Sequence, residues 1–151
     1  MPVQALKELL DAHHIKYVSI AHSRAFTAQE IAQSAHVPGQ EMAKTVMVKV
    51  DGRLAMAVLP ASYHVDFEAL RAAIGAKGVE LAGEKEFQDR FPECEVGAMP
   101  PFGNLYGMET YASRRLSEDT RIAFNAGSHT ELIKLSYADS ERLARPRILD
   151  F

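Results

Sequence analysis

The sequence predicts an α/β protein of the α+β type, with a mixed, largely antiparallel sheet flanked by helices. Two observations carry this prediction. Residues 44–50 alternate so that three valines share one face, and Asp51-Gly52 then forms a strong hairpin turn before a second strand. Segments with the apolar spacing of helices lie before and after this hairpin, so helices and strands are interleaved along the chain.

The composition indicates one globular domain, residues 1–151. Apolar residues make up 47% of the 151 and charged residues 25%, and the chain shows no repeat or low-complexity tract. Cys94 is the single cysteine, which excludes an internal disulfide. The N-terminus lacks the pattern of a signal peptide, and no apolar run could cross a bilayer, so we expect a cytoplasmic protein.

The first elements are two helices and a strand. Apolar spacing predicts a helix over about residues 3–13, and the short apolar run 17–21 predicts a strand. Residues 27–30, Thr-Ala-Gln-Glu, match a capping box. A second helix is therefore expected to begin near Ala28 and to end before Val37-Pro38-Gly39.

The return strand of the hairpin, residues 53–59, is almost wholly apolar, which predicts a central strand covered on both faces. Asp66 is expected to cap a helix that runs through Ile74 and stops at Gly75. The other predicted elements are a strand at 79–81, a helix at 84–91, a loop at 92–107, strands at 110–112 and 121–124, a polar loop at 125–130, a strand at 132–135 and a short helix at 138–143.

Lys44 is the first candidate functional residue. By strand parity it shares a face with Val46, Val48 and Val50, where the pattern otherwise calls for apolar atoms. An unpaired buried charge is costly, so Lys44 would line a cleft or meet a partner. Alternatively, it lies at the open end of the strand and extends its ammonium group into water; parity alone favours this alternative.

Two loops are the other candidates. Residues 97–103, Gly-Ala-Met-Pro-Pro-Phe-Gly, form a stiff loop that could present backbone N–H groups to an oxyanion or a ribose hydroxyl. The alternative is a structural turn in which Phe102 fills the core. Residues 125–130, Asn-Ala-Gly-Ser-His-Thr, combine small residues with hydroxyl and imidazole groups. Adjacent Ser128 and His129 rarely face each other, so a serine triad is not expected, and a polar connection is the alternative.

The remaining motifs argue against a cofactor. The six histidines form neither an H-x-H nor an HExxH pattern, and no paired ligand accompanies the lone cysteine, so no metal site is expected. A P-loop and a GxGxxG motif are also absent from the sequence. We therefore expect a protein that needs neither metal nor nucleotide cofactor.

Three segments taken together resemble the YbaK and prolyl-tRNA-synthetase-associated editing family. They are Ala43-Lys44-Thr45-Val46 opening a strand, the Gly97-x-x-x-Pro101-Phe102-Gly103 loop, and the Phe124–Thr130 segment, in that order. The resemblance covers about residues 17–143. It implies a mixed, largely antiparallel sheet curled into a partial barrel and flanked by helices. It also implies a free-standing deacylase that hydrolyses the ester of wrongly charged aminoacyl-tRNA.

The resemblance also assigns roles to individual residues. Lys44 matches the strand-opening lysine that the family requires for activity. Gly97, Pro101, Phe102 and Gly103 match the loop that lies over the terminal adenosine and the ester. A second set matches the loop that closes the amino-acid pocket: Gly127, Ser128, His129 and Thr130. The implied mechanism is attack by water, without covalent nucleophile or metal, with Lys44 and backbone N–H groups stabilising charge.

The expected partner is the acceptor end of a tRNA that carries a wrong amino acid, with no membrane and no duplex DNA. The Gly-Ser-His-Thr loop resembles branches that act on serine and threonine esters, so serine, threonine or alanine are expected ahead of cysteine or proline. A net charge of −3 argues against a protein that grips long tracts of phosphate. Candidate basic contacts are Lys44, Lys49, Arg53, Arg114 and Arg115. The oligomeric state is expected to be monomer or weak homodimer.

Two other functions compete with this one. A non-catalytic module that binds tRNA or an aminoacyl-nucleotide would keep the pocket and lack turnover. A regulator that binds duplex DNA is disfavoured, because the sequence shows no helix-turn-helix with a basic recognition helix.

Overall fold

The structure, a computed structural model, describes residues 4–21 and 41–151, and the helix expected between residues 28 and 36 lies outside them. In chain order the described helices and strands are α1 (Gln4–Ala12), β1 (Tyr17–Ala21), β2 (Ala43–Val50), β3 (Arg53–Pro60), α2 (Phe67–Ile74), β4 (Val79–Leu81), α3 (Glu84–Phe87), β5 (Glu109–Ser113), β6 (Arg121–Asn125), β7 (Glu131–Ser136), α4 (Tyr137–Ala144) and β8 (Arg147–Leu149). None of the described helices is both long and apolar enough to cross a membrane.

The predicted hairpin is confirmed. β2 and β3 pair antiparallel from Ala43 opposite Pro60 to Val50 opposite Arg53. Asp51 and Gly52 form the two-residue turn with φ of 49° and 84°. Positive φ at both positions gives the twist that matches two paired strands, and glycine adopts it without steric penalty. The turn therefore fixes the register that decides which face of β2 carries Lys44.

A five-stranded sheet contains this hairpin at its centre, in the order β4-β2-β3-β5-β8. Its central strand is β3, which confirms the prediction from the apolar run, and residues 55–60 of β3 are buried. Beyond β3 the pairing changes from antiparallel to parallel: β5 pairs parallel to β3, and β8 pairs parallel to β5. Parallel neighbours require a long crossover, here residues 61–108 between β3 and β5.

A second sheet has three antiparallel strands in the order β1-β7-β6. The two sheets meet where Met42, just before β2, makes an isolated parallel bridge to Ala123 of β6. Four of the six ladders in the described part of the chain are antiparallel, as the sequence predicted. The sheets curve around a shared core, and no ladder between described residues closes them into a barrel.

The main core lies between the two sheets. Ala43 and Val58 contribute from the five-stranded sheet, and Phe124 and Ile133 contribute from the three-stranded sheet. Helices α1 and α4 cover this cluster through Leu6, Leu10 and Leu143. On the outer face of the five-stranded sheet, α2 packs Leu70 against Val48, Ala57 and Leu59. Each side of β2 therefore faces apolar atoms over most of its length.

Helix α2 shows why its ends were predictable. Asp66 accepts a hydrogen bond from the Ala69 amide at 3.0 Å, and Gly75 ends the helix with φ of 76°. A side-chain N-cap and a left-handed glycine C-cap satisfy backbone groups that the helix leaves unpaired.

Four elements differ from the sequence prediction. The helix expected over 84–91 is one α-helical turn, Glu84–Phe87, that tightens into a 3-10 helix over Gln88–Arg90. The loop expected over 92–107 contains a 3-10 helix, Gly103–Tyr106, and another covers Arg114–Glu118. Strand β8 was not predicted, because it is defined by its parallel pairing with β5, a tertiary contact.

Candidate active site

Lys44 lies at the beginning of β2, opposite Leu59 of β3. Parity places it on the same face as Val46 and Val48, and Val48 and Leu59 belong to the cluster covered by α2. Lys44 is half-buried, and this desolvation lowers the pKa of its ammonium group. Within residues 4–21 and 41–151 no carboxylate forms an ion pair with it. Lys44 is thus a poorly solvated cation that a negatively charged ligand would stabilise.

The bridge between Met42 and Ala123 relates Lys44 to the second candidate loop. β2 and β6 run parallel through this bridge. Lys44 and Asn125 each come two residues later, and so both lie about 6–7 Å farther in the same direction. Asn125 is the last residue of β6 and leads into the Gly127–Thr130 loop. Lys44 and the beginning of the Gly127–Thr130 loop therefore lie next to each other, on the same side of the bridge.

The two candidate loops are hydrogen-bonded to each other. The Glu95 amide donates to the Gly127 carbonyl at 2.8 Å, and the Gly127 amide donates to the Ala98 carbonyl at 2.9 Å. These reciprocal bonds hold Gly97 beside Gly127, and both glycines have positive φ, 84° and 104°. The structure therefore brings together two segments that lie about thirty residues apart in sequence.

His129 joins the loops a second time. Its Nε2 lies 2.7 Å from the Val96 carbonyl oxygen, which can only accept, so Nε2 carries the proton. In a neutral imidazole Nδ1 is then an acceptor, and this atom is buried without a hydrogen-bond partner. The ring also packs over Gly97, where an added Cβ would lie 3.6 Å from the ring carbon Cε1. A Glu95 carboxylate oxygen lies 4.0 Å from Nε2.

Ser128 and Thr130 are bonded to each other and not to the imidazole. Their hydroxyl oxygens are 3.2 Å apart, and the Thr130 amide donates to Ser128 Oγ at 3.3 Å. This arrangement agrees with the expectation that Ser128 and His129 do not form a nucleophile–base pair. The amides of Gly97 and Ser128 donate no hydrogen bond within the described residues, whereas the Gly127 amide is occupied. Gly97 and Ser128 are therefore the backbone donors that a ligand could use.

Comparison with known proteins now identifies the family. The model of the aminoacyl-tRNA editing domain matches residues 22–143. The chain belongs to this family. The resemblance inferred from the three sequence motifs is thereby confirmed. Residues 95–98 and 127–129, whose hydrogen bonds join the two loops, lie inside the matched segment.

Individual relatives of this editing domain include free-standing and inserted proteins. A multifunctional Ser/Thr-tRNA deacylase, ProXp-y, from Escherichia coli strain K12 is 28% identical over 98% of this chain and 91% of its own length. A proline–tRNA ligase from Leuconostoc citreum is 27% identical over 83% of this chain, which corresponds to 22% of the ligase. The similarity to the deacylase extends over nearly its whole length, whereas the ligase is several times longer than the shared segment.

Solved structures confirm the fold of the editing domain. A crystal structure described as a candidate trans-editing enzyme for prolyl-tRNA synthetase superimposes with a TM-score of 0.82, at 17% identity, over 97% of this chain and 94% of that one. A second crystal structure, of a hypothetical protein, gives a TM-score of 0.85 at 19% identity over 97% and 98% of the two chains. The predicted mixed, largely antiparallel architecture is therefore correct.

The far end of the first loop has an internal role in this editing domain. Phe102 is fully buried, and its ring packs edge-on against Phe124 with centroids 5.6 Å apart. The Gly103 amide donates to Thr110 Oγ1 at 3.0 Å, and a Cβ at Gly103 would lie 2.7 Å from the Met108 carbonyl oxygen. Pro101 is also buried. These three predicted substrate-binding residues shape the loop from within, and Gly97 is its exposed end.

Most of the candidate basic contacts are already engaged. Lys49 pairs with Glu86 at 2.9 Å and with Glu80 at 3.3 Å. The Arg114 guanidinium pairs with Asp150 at 3.0 Å. Arg115 donates to the Phe151 carbonyl at 3.0 Å and lies 4.3 Å from the centre of the Tyr63 ring. These contacts argue against Lys49, Arg114 and Arg115 as dedicated phosphate ligands, and they leave Lys44 and Arg53.

Two features near the site were not found from the sequence. The Val96 carbonyl that fixes His129 could not be predicted, because a backbone oxygen leaves no residue signature.

Glu41 and Lys134 form a half-buried ion pair at 3.8 Å across the junction of the sheets. Nearby, burial raises the pKa of Asp119, and the negative charges of Glu41 and Glu118 add to this rise. Strand parity could have indicated that Lys134 and Ala123 share a face, but not that Glu41 reaches them.

Proposed function

We propose that this editing domain is a free-standing deacylase that hydrolyses the ester of wrongly charged aminoacyl-tRNA. One observation carries the proposal: the Gly97 loop and the Gly127–Thr130 loop are hydrogen-bonded into one site beside Lys44. Membership of the family and nearly full-length similarity to a Ser/Thr-tRNA deacylase support it. Serine and threonine esters are accordingly the first substrates to test.

The proposed chemistry is direct attack of water on the aminoacyl carbonyl. Ser128 is bonded to Thr130, so it lacks a base for nucleophilic attack. Nδ1 of His129 is buried beside these loops without a hydrogen-bond partner, and it would hold the attacking water once substrate binding opens the site. The amides of Gly97 and Ser128 can donate to the oxyanion that develops in the transition state. Hydrogen-bond donors fixed in this way stabilise charge without reorganising during the reaction.

Lys44 supplies the positive charge of the site. Two roles are open to it, namely binding of the terminal phosphate and stabilisation of the oxyanion. The two roles have different kinetic signatures. Loss of a phosphate contact made equally in ground and transition states raises KM, whereas loss of an oxyanion contact lowers kcat.

A panel of aminoacyl-tRNAs tests the activity. Purified protein is incubated separately with Ser-, Thr-, Ala-, Cys- and Pro-tRNA, and loss of the ester is measured against buffer. We expect hydrolysis of at least the Ser and Thr esters. Saturable tRNA binding without ester loss on any of the five would instead support a non-catalytic binding module.

Two lysine variants on β2 make the test specific. Lys44→Met removes a partly desolvated charge, so the variant should fold with an unchanged or higher Tm and lose most deacylation. Lys49→Met removes a cation that two glutamates hold, so it should lower Tm slightly and keep the activity. Full activity of a folded Lys44→Met protein would remove Lys44 from the mechanism.

A further inference from the structure

Asn125 carries a buried polar group that the mechanism above does not use. The residue is 9% exposed, and its Oδ1 is buried without a hydrogen-bond partner. Thr110, another buried polar residue, is by contrast paired with the Gly103 amide. A buried acceptor without a donor is destabilising, and such groups in folded proteins call for a specific explanation.

The side chain of Asn125 points away from the main core. Its neighbours Phe124 and Ala126 belong to the core cluster, so strand alternation places Asn125 on the opposite face of β6. Lys44 stands in the same relation to Ala43 on β2. The parallel bridge at Met42 and Ala123 brings these two faces together. The unpaired amide and the half-buried ammonium group therefore lie on one face, at the start of the Gly127–Thr130 loop.

We propose that Asn125 is a substrate-binding residue whose Oδ1 accepts a hydrogen bond from the α-ammonium group of the aminoacyl ester. This inference rests on the proposed deacylase function. Every aminoacyl ester carries an α-ammonium group with three N–H donors and no acceptor, which complements an unpaired carbonyl oxygen. A neutral amide can bind this cation and leave Lys44 charged. A carboxylate at the same position would add a negative charge to the face that carries Lys44.

The variant Asn125→Leu has nearly the same shape and lacks the polar atoms. Loss of a hydrogen bond to a charged group should reduce kcat/KM on the aminoacyl ester by about 10- to 100-fold. Because the wild-type amide is unpaired, the variant should keep or raise Tm. The control is Ser136→Ala, which removes the acceptor of the Asp139 amide at the start of α4 and should lower Tm while leaving the activity of the folded protein unchanged. A fall in Tm for Asn125→Leu comparable to that control would indicate a structural role.

Two altered substrates identify the donor. On an acyl-tRNA in which hydrogen replaces the α-ammonium group, wild type and Asn125→Leu should have equal kcat/KM. On an aminoacyl-tRNA ending in 2′-deoxyadenosine, the difference between the two proteins should persist. The opposite pattern would assign Oδ1 to the ribose hydroxyl and overturn the ammonium proposal, and so would an unchanged kcat/KM of Asn125→Leu on the normal ester. Asn125→Ser replaces Asn125→Leu if the latter does not fold.

Binding separates this inference from the catalytic proposal. The probe is 3′-aminoacylamido-3′-deoxyadenosine, whose amide bond resists hydrolysis, measured by calorimetry. If wild type cleaves no ester but binds this probe more tightly than Asn125→Leu does, the deacylase proposal fails and the role of Asn125 stands. If wild type cleaves the ester and both proteins bind the probe equally, the role of Asn125 fails alone.

Discussion

At the scale of single residues, the site depends on groups whose surroundings change their chemistry. The hairpin register places Lys44 on a partly buried face of β2, where desolvation lowers the pKa of its ammonium group. The Val96 carbonyl oxygen accepts a hydrogen bond from Nε2–H of His129, which leaves Nδ1 as the possible acceptor of a neutral ring. Asn125 is informative because its buried oxygen is unpaired. In each case the position of the side chain in the fold decides how its polar group can act.

The lowered pKa of Lys44 predicts a pH effect. As pH rises, the ammonium group loses its proton below the ordinary value of 10.5, so the positive charge is present at neutral pH and lost in alkaline solution. The deacylation rate that remains after subtraction of the buffer rate should therefore fall as pH rises from neutrality toward the ordinary lysine value. Initial rates of ester loss measure this decline, and NMR titration of the labelled lysine side chain locates the pKa independently.

Lys44→Arg is the control for this pH effect, because a guanidinium stays protonated throughout the range. An active arginine variant should lack the alkaline decline. If the variant is inactive, the comparison is between the wild-type decline and the NMR titration. A decline shared by both proteins, or one displaced from the titration of Lys44, would mean that another group causes it.

At the scale of elements, the two loops act as one unit. Two backbone hydrogen bonds and the contact between His129 and Val96 join them. A substitution that moves one loop should therefore also move the other. The left-handed φ of Gly97 is essential to this arrangement, because it turns the chain under the imidazole ring.

The variant Gly97→Ala tests whether the geometry of the two joined loops is needed for hydrolysis. Alanine at a φ of 84° costs about 1–2 kcal/mol, and relief of this strain should shift the loop and reduce deacylation severely. Gly75→Ala is the matched control, because Gly75 has a φ of 76° at the end of α2 and an added Cβ would meet no atom within 4 Å. Thermal denaturation should show similar losses of stability in the two variants, with normal activity only in Gly75→Ala. Equal activities would show that the loop geometry is not needed for hydrolysis.

Elements were predictable where local chemistry decides them. The hairpin follows from Asp51-Gly52, and α2 follows from Asp66 and Gly75. The parallel pairing of β3, β5 and β8 depends on tertiary contacts, so it left no local signal. The site divides in the same way. Its segments were recognisable from their motifs, and a core position for Phe102 was foreseen as the alternative for its loop, whereas the bonds between the loops and the burial of Asn125 required the fold.

At the scale of the whole molecule, charge limits how much nucleic acid the protein can hold. The chain has 17 basic and 20 acidic residues. Acidic groups or a carbonyl oxygen already engage Lys49, Arg114 and Arg115. Of the five basic side chains considered as tRNA contacts, Lys44 and Arg53 make neither an ion pair nor a side-chain hydrogen bond within the described residues. This distribution agrees with the proposed recognition of the acceptor end, which needs few phosphate contacts.

Few phosphate contacts predict a weak dependence on salt. With two or three contacts to single-stranded phosphate, affinity should fall by about 7- to 20-fold between 50 and 200 mM salt, against about a thousandfold or more for six to ten contacts. The measurement is kcat/KM for Ser-tRNA over that range. The same measurement on a seryl-microhelix, which contains only the acceptor stem, should give nearly the value for full-length tRNA. A thousandfold salt effect, or a microhelix that is hardly cleaved, would instead require an extensive tRNA-binding surface on this acidic protein.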